Sequence, residues 1–254
     1  MVRNPAKAQD LADRGITVRE GDYSRPHTLA PALEGVEKIL LISSTEVSGR
    51  LPQHRAVIDA VGQAGVPFLA YTSMLHADTS PARLAVEHRQ TEEIIEASGI
   101  PAVILRNGWY TVNHLLALPA ALEHGAFVGA AKGGRFSSAA RKDYAAAAAV
   151  VLTSDGHAGR TYELASDHAF TLSELAAEVS QLSGKTVVYN DLSGADYESV
   201  LTGAGLPADL AALLADADAA ASRGALFDDG GALRLLIGRP TTPMQNLVAT
   251  ALGI

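Results

Sequence analysis

Short apolar runs alternate with helix-forming stretches from Val2 to Leu164, and this alternation constrains the fold more than any single motif. Met1-Val2-Arg3 reads as a strand end entering the turn Asn4-Pro5. The pattern then predicts a helix over 6–14, a strand over 16–19, a helix over 26–33 and a strand over 38–42. A helix over 53–64, a strand over 67–72, a helix over 81–98 and a strand over 102–106 continue the series. Runs such as Ala102-Val103-Ile104-Leu105 are apolar throughout, as expected of a parallel sheet covered on both faces. The fold class expected is α/β, a Rossmann-like doubly wound parallel sheet. Its first βα unit is missing from the pattern, so the sheet is expected to be N-terminally truncated.

Beyond Asn107 the pattern loosens. Helices are expected near 113–124 and 143–154, followed by a short strand over 161–164. Thr171-Leu172-Ser173-Glu174 has the spacing of a capping box, in which the Thr171 hydroxyl and the Glu174 carboxylate satisfy each other's backbone N–H groups. A strand over 186–189 follows Gly184, and the rest is helical, with a strong alanine and aspartate bias over 209–221. Residues 1–125 and 139–165 are assigned to the sheet domain, and 126–138 and 166–254 to a smaller α+β lobe. With no linker between them, the two should form one compact unit.

The chain has no cysteine, which excludes disulfides, thiolate zinc sites and cysteine nucleophiles. A net charge of −8 argues against a nucleic-acid surface, which needs clustered Lys and Arg. Apolar runs such as 144–153 are too short or too alanine-rich for membrane insertion, and no secretory signal is visible. A cytoplasmic protein with a small-molecule partner is expected.

Sheets of this kind bind ligands beyond the carboxyl ends of their strands. Arg3 follows the first strand, where a cation can pair with the 2′-phosphate of NADP; the alternative is a solvated arginine. Asp22 follows the second, either as an adenine contact or as a turn acid. After the third comes the hydroxyl-rich Ser43-Ser44-Thr45-Glu46-Val47. Asn107-Gly108-Trp109-Tyr110 follows 102–106, its glycine permitting close approach and its tryptophan offering either a flat wall or core packing.

VRNPAKA, GDY, LLISSTEV, AYTSMLHADTSP, RNGWY, RKDYAAAAA and YEL occur here in the order and spacing of the NmrA-like atypical short-chain dehydrogenase/reductases. The chain resembles that family over 2–242, and within it most the bacterial flavin-independent NAD(P)H:quinone oxidoreductases. The resemblance implies NADPH as cofactor, no flavin and no metal, a quinone as the small-molecule partner, and a monomer or homodimer. It assigns cofactor contacts to Arg3, Ser44, Thr45, Glu46, Val47, Asn107, Gly108, Trp109, Tyr110, Thr111 and Val112. Substrate contacts fall on Trp109, Tyr110, Ser138 and Arg141.

Two departures qualify the resemblance. A glycine-rich turn after a first strand, which would bind the pyrophosphate, is not found, so weak or no cofactor binding and poor folding are expected. The tyrosine and lysine of the wider superfamily are replaced by Leu84 and His88. A quinone tolerates that loss, because hydride addition gives a hydroquinone anion, a much weaker base than an alkoxide; water, His88 or Tyr110 would supply the proton. His54, His76, His88 and His114 form no ligand set with helical spacing, and Ser73 lacks a nucleophile elbow. Residues 224–229 either help close a substrate pocket or are a structural loop. The reading is NADPH-dependent quinone reduction by direct hydride transfer. Its alternatives are an NADP(H)-binding redox sensor and an inactive truncated product.

Overall fold

The computed structural model describes residues 1–46 and 49–254. A 3₁₀ turn at Pro5–Ala8, capped by the Asn4 side chain, leads into α1 (Gln9–Asp13), and a second 3₁₀ turn at Pro26–Thr28 leads into α2 (Leu29–Leu33). Strand β1 (Ile39–Leu41) is followed by α3 (Arg50–Gln63), β2 (Leu69–Met74), α4 (Arg83–Ser98) and β3 (Ala102–Asn107). Then come α5 (Thr111–Leu115), α6 (Leu118–His124), β4 (Ala126–Gly129), α7 (Arg141–Thr153), β5 (Thr161–Leu164), α8 (Leu172–Ser183) and β6 (Val188–Asp191). Four helices complete the chain: α9 (Gly194–Gly203), α10 (Ala208–Ala221), α11 (Ala232–Ile237) and α12 (Met244–Leu252).

The main sheet has the order β1-β2-β3-β5 and is parallel throughout. Its two faces take alternate residues of each strand. Leu69 and Tyr71 of β2 pack with Ile39, Leu41, Val57, Ile58, Val61 and Ile95 under α3 and α4. Ala70 turns to the opposite face, where Val103 and Leu105 meet Tyr144, Ala147, Ala148 and Val151 of α7. Covering both faces explains why these strands read as continuous apolar runs.

A separate parallel pair, β4 and β6, lies with α8 and α12 around Phe127, Phe136, Phe170, Leu175 and Val179. The expected capping box is present at the start of α8, with Glu174 N donating to Thr171 Oγ1 and Thr171 N to Glu174 Oε2. The alanine and aspartate bias of α10 also has a structural basis. Small side chains let it pack against α4, while Asp216 Oδ2 accepts the Arg83 N–H at the α4 N-terminus (2.7 Å) and Asp218 Oδ2 accepts from Ala130 N (2.8 Å).

Several expectations need correction. The strand expected over 16–19 is absent: among the described residues the pairing is one parallel bridge at Glu20, where Val2 donates to Arg19 O and accepts from Gly21 N, and no further residue continues the ladder. The helix expected over 113–124 is two, divided where Pro119 starts α6. Strand β4, only four residues long, was not expected, and β6 begins two residues later than the 186–189 reading.

Candidate active site

The carboxyl ends of β1, β2 and β3 bring together loops 42–46, 75–82 and 108–110. Among the described residues, three buried side-chain oxygens have no hydrogen-bond partner, and two are here: Asn107 Oδ1, at the end of β3, and Thr111 Oγ1, in the first turn of α5. Both residues are buried, Asn107 at 7% exposure and Thr111 at 1%. A buried polar atom without a partner costs about 1–3 kcal/mol, and the protein itself supplies a hydrogen-bond partner to neither atom. The Asn107 amide oxygen accepts and the Thr111 hydroxyl donates, a set complementary to a carboxamide.

Gly108 has a different role from the one expected. A methyl group there would meet Tyr144 Oη at 3.0 Å, the Ser137 carbonyl at 3.1 Å and the Leu164 carbonyl at 3.2 Å. Its N–H donates to Leu164 O at 2.8 Å. The close approach it permits is therefore to the protein's own backbone.

The loop after β1 is tied to the helices beneath it. Ser43 N donates to Thr72 Oγ1 (2.8 Å), Ser44 N to His54 Nε2 (2.9 Å) and Arg50 Nε to the Ser44 carbonyl (2.7 Å). Thr45 and Glu46 are exposed, and the Glu46 carboxylate accepts from Gln53 Nε2. Val47 lies outside the described residues.

Next to Asn107 stands an ion-pair hub that sequence reasoning missed. Arg106 pairs with Glu92 through Nη2 (2.7 Å) and Nε (3.0 Å), with Glu163 (2.8 Å) and with Asp78 (2.9 Å). These contacts raise its pKa despite the opposing effect of burial. Ser73 donates to Glu92 in the same cluster. His76, with φ of 53°, donates its backbone N–H to Glu163 and brings Nε2 to 3.2 Å from the Phe227 carbonyl. The acids come from three distant segments, so no local motif could have exposed the hub. Residues 226–228 also bond to Ser137, which makes 224–229 a structural loop.

Of the expected substrate residues, Trp109 packs partly buried on the core around Phe127, Phe136 and Phe170, and its carbonyl accepts from Ala139 N and Tyr144 Oη. Tyr110 lies beside the Tyr144 ring (5.2 Å between centroids), with the exposed Arg141 guanidinium 5.6 Å from its own ring. Ser138 is buried with its hydroxyl 3.1 Å from His114 Nε2, and the His114 ring sits edge-on to Phe136 and Phe170. Burial pushes the His114 pKa down to about 4. Ser138 also lines a pocket of about 440 Å³ with Ser166, Phe170, Glu178 and Thr241 through Gln245. Trp109, Tyr110 and Arg141 are absent from the lining of that pocket.

Arg3 is exposed; the Asp22 carboxyl is held below its usual pKa by the Ser24 N–H first, then by Arg25, and least by the charge of Arg3. Asp22 accepts from Ser24 N and pairs with Arg25, which makes it a turn acid. Val112 is exposed on α5. His88 is a correction: it lies in the core under β2, where Nδ1 meets Tyr71 Oη at 2.8 Å, and burial first, then the nearby Arg50 and His54, pushes its pKa down to about 3. A neutral imidazole is a very weak acid, and one enclosed in the core does not serve as the proton donor. Leu84, on the same helix, packs against the core around Phe127, Phe136 and Phe170. Among the described residues no cluster of three or more His, Asp or Glu side chains could hold a metal ion, and no helix is long and apolar enough to cross a membrane.

A family model described as NAD(P)H-binding matches residues 1–155. Quinone oxidoreductase 2 of Escherichia coli K12 is 57% identical over 249 residues, covering 98% of this chain and 87% of that protein. The crystal structure of an E. coli NADPH-dependent quinone oxidoreductase complexed with NADPH superposes with a TM-score of 0.96 at 57% identity, over 99% of this chain and 89% of the other. Citrobacter sp. triphenylmethane reductase complexed with NADP(H) superposes with a TM-score of 0.93 at 39% identity, over 98% and 89% of the two chains.

Proposed function

The chain belongs to the NAD(P)H-binding, NmrA-like family, and from that premise we propose that it reduces quinones with NADPH by direct hydride transfer, without flavin. The observation that carries the reading is the pair of unpartnered oxygens, Asn107 Oδ1 and Thr111 Oγ1, at the carboxyl end of β3. Their donor and acceptor types match a nicotinamide carboxamide, whose amide would donate to Asn107 and whose carbonyl would accept from Thr111. NADPH, when bound, supplies the hydride.

The chain's own contribution is placement and the exclusion of water. Asn107 and Thr111 would fix the nicotinamide end, and the Ser44-Thr45-Glu46 loop would lie along the cofactor. Arg3, exposed at the amino-terminal end, would meet the 2′-phosphate. Trp109 and Tyr110 would flank the quinone with Arg141, and Tyr110 or water would return the proton. The separate β4–β6 pair supports treating 126–138 and 166–254 as the smaller lobe.

Initial rates of NADPH oxidation in the presence of a simple benzoquinone test the proposal. Quinone-dependent oxidation that prefers NADPH over NADH, with the preference lost in Arg3→Ala, supports it. NADPH binding with no oxidation refutes the catalytic reading.

A further inference from the structure

The peptide of Ser44 is gripped at both ends by residues that no sequence motif links. Arg50 Nε donates to its carbonyl oxygen (2.7 Å), and its N–H donates to His54 Nε2 (2.9 Å). Arg50 and His54 lie four residues apart on α3, and therefore on one face of it. Behind them stand Glu87 and Thr91, four apart on α4. Glu87 Oε2 pairs with Arg50 Nη1 at 2.7 Å, and Thr91 Oγ1 lies 3.0 Å from His54 Nδ1.

The protons of this array can be counted. A backbone N–H only donates, so His54 Nε2 must be bare. The Thr91 hydroxyl donates to the Glu87 carbonyl (2.8 Å), so its oxygen is left to accept and His54 Nδ1 must carry the ring hydrogen. One tautomer of a neutral ring satisfies every partner, and a protonated ring satisfies none at Ser44. His54 is fully buried and stands edge-on to Tyr71 (74° between rings), with its pKa pushed down to about 4 by burial first and by Arg50 second.

We infer that His54 is a positioning residue for NADPH: with Arg50 it fixes the Ser44 peptide, and so the loop that faces the cofactor, using helices α3 and α4 as the frame. The inference rests on the proposed cofactor reading. His54 acts through Ser44 and needs no contact with the ligand. A histidine that only filled space would be replaceable by any side chain of similar shape, whereas this role needs an acceptor toward Ser44 and a donor toward Thr91. Glutamine offers both and leucine neither.

The test compares H54L and H54Q by NADPH titration, by steady-state kinetics with benzoquinone and by amide hydrogen exchange at Ser44. In H54L, the Kd and KM for NADPH are expected to rise about tenfold while kcat at saturating NADPH stays within about twofold, and Ser44 N–H loses its protection. H54Q is expected to restore protection and most of the affinity. Equal defects in both variants, or unchanged NADPH affinity in a folded H54L, would overturn the inference while leaving the cofactor reading intact. Wild-type protein that binds no NADPH would overturn the cofactor reading, and this inference with it.

Discussion

Replacing Asp218 with asparagine should make the protein more stable at neutral pH. Asp218 sits on α10 with Oδ2 accepting from Ala130 N, and Asp191, which accepts from Lys132 N and Tyr189 Oη, is its charged neighbour. Burial foremost, then the Asp191 charge, pushes its pKa from 3.8 up to about 6, against the lowering effect of the Ala130 N–H. The folded state therefore favours the neutral carboxyl. Its contribution to stability is fully present below pH 3.8 and is lost as pH rises through about 6. The difference between the two midpoints corresponds to about 3 kcal/mol at pH 7.5 and about 1 kcal/mol at pH 4.5. D218N keeps an acceptor for Ala130 N and has no charge to bury. Urea unfolding of both proteins at the two pH values reads the effect, provided the m-values match. The expected result is a D218N advantage that is largest at pH 7.5 and shrinks in acid. No advantage at pH 7.5, or one that grows as pH falls, would refute the reasoning.

Other substitutions probe the sheet edge. R106M strands Glu92, whose side chain is only 14% exposed, and should cost roughly 3–5 kcal/mol in urea unfolding; the more exposed Asp78 adds little. G108A drives a methyl group against two backbone carbonyls and Tyr144, and a loss of about 1–3 kcal/mol is expected from thermal unfolding. N107A removes the proposed carboxamide acceptor and should raise the NADPH Kd about tenfold in a fluorescence titration, with stability little changed. An unaltered Kd would remove Asn107 from the site.

What was legible in the sequence follows from how local each signal is. The run Ala102 to Leu105 announced a doubly covered strand because each of its side chains meets an apolar layer. Thr171 and Glu174 announced a helix start because both halves of the cap lie within four residues. The 16–19 segment, Ile16-Thr17-Val18-Arg19, carried an alternating strand signal yet forms no ladder, the single bridge falling at Glu20, since a strand exists only where a partner continues the ladder. The site divides in the same way. Asn107 and Thr111 were found through a resemblance, and their missing partners emerged only from the fold. Arg106, Arg50 and His54 went unseen because Glu92, Glu163, Glu87 and Thr91 lie 14 to 57 residues away. His88 occupies the position of the superfamily's catalytic lysine in sequence, and only the packing of Tyr71 against it reveals an enclosed ring.

Single-turnover reduction of benzoquinone by NADPH deuterated at the transferred position tests direct hydride transfer. The protein is used anaerobically after its absorbance spectrum has shown that it is free of flavin. The account predicts oxidation of one NADPH per quinone, with a primary isotope effect on the rate. Oxidation that begins only when flavin is added would contradict it.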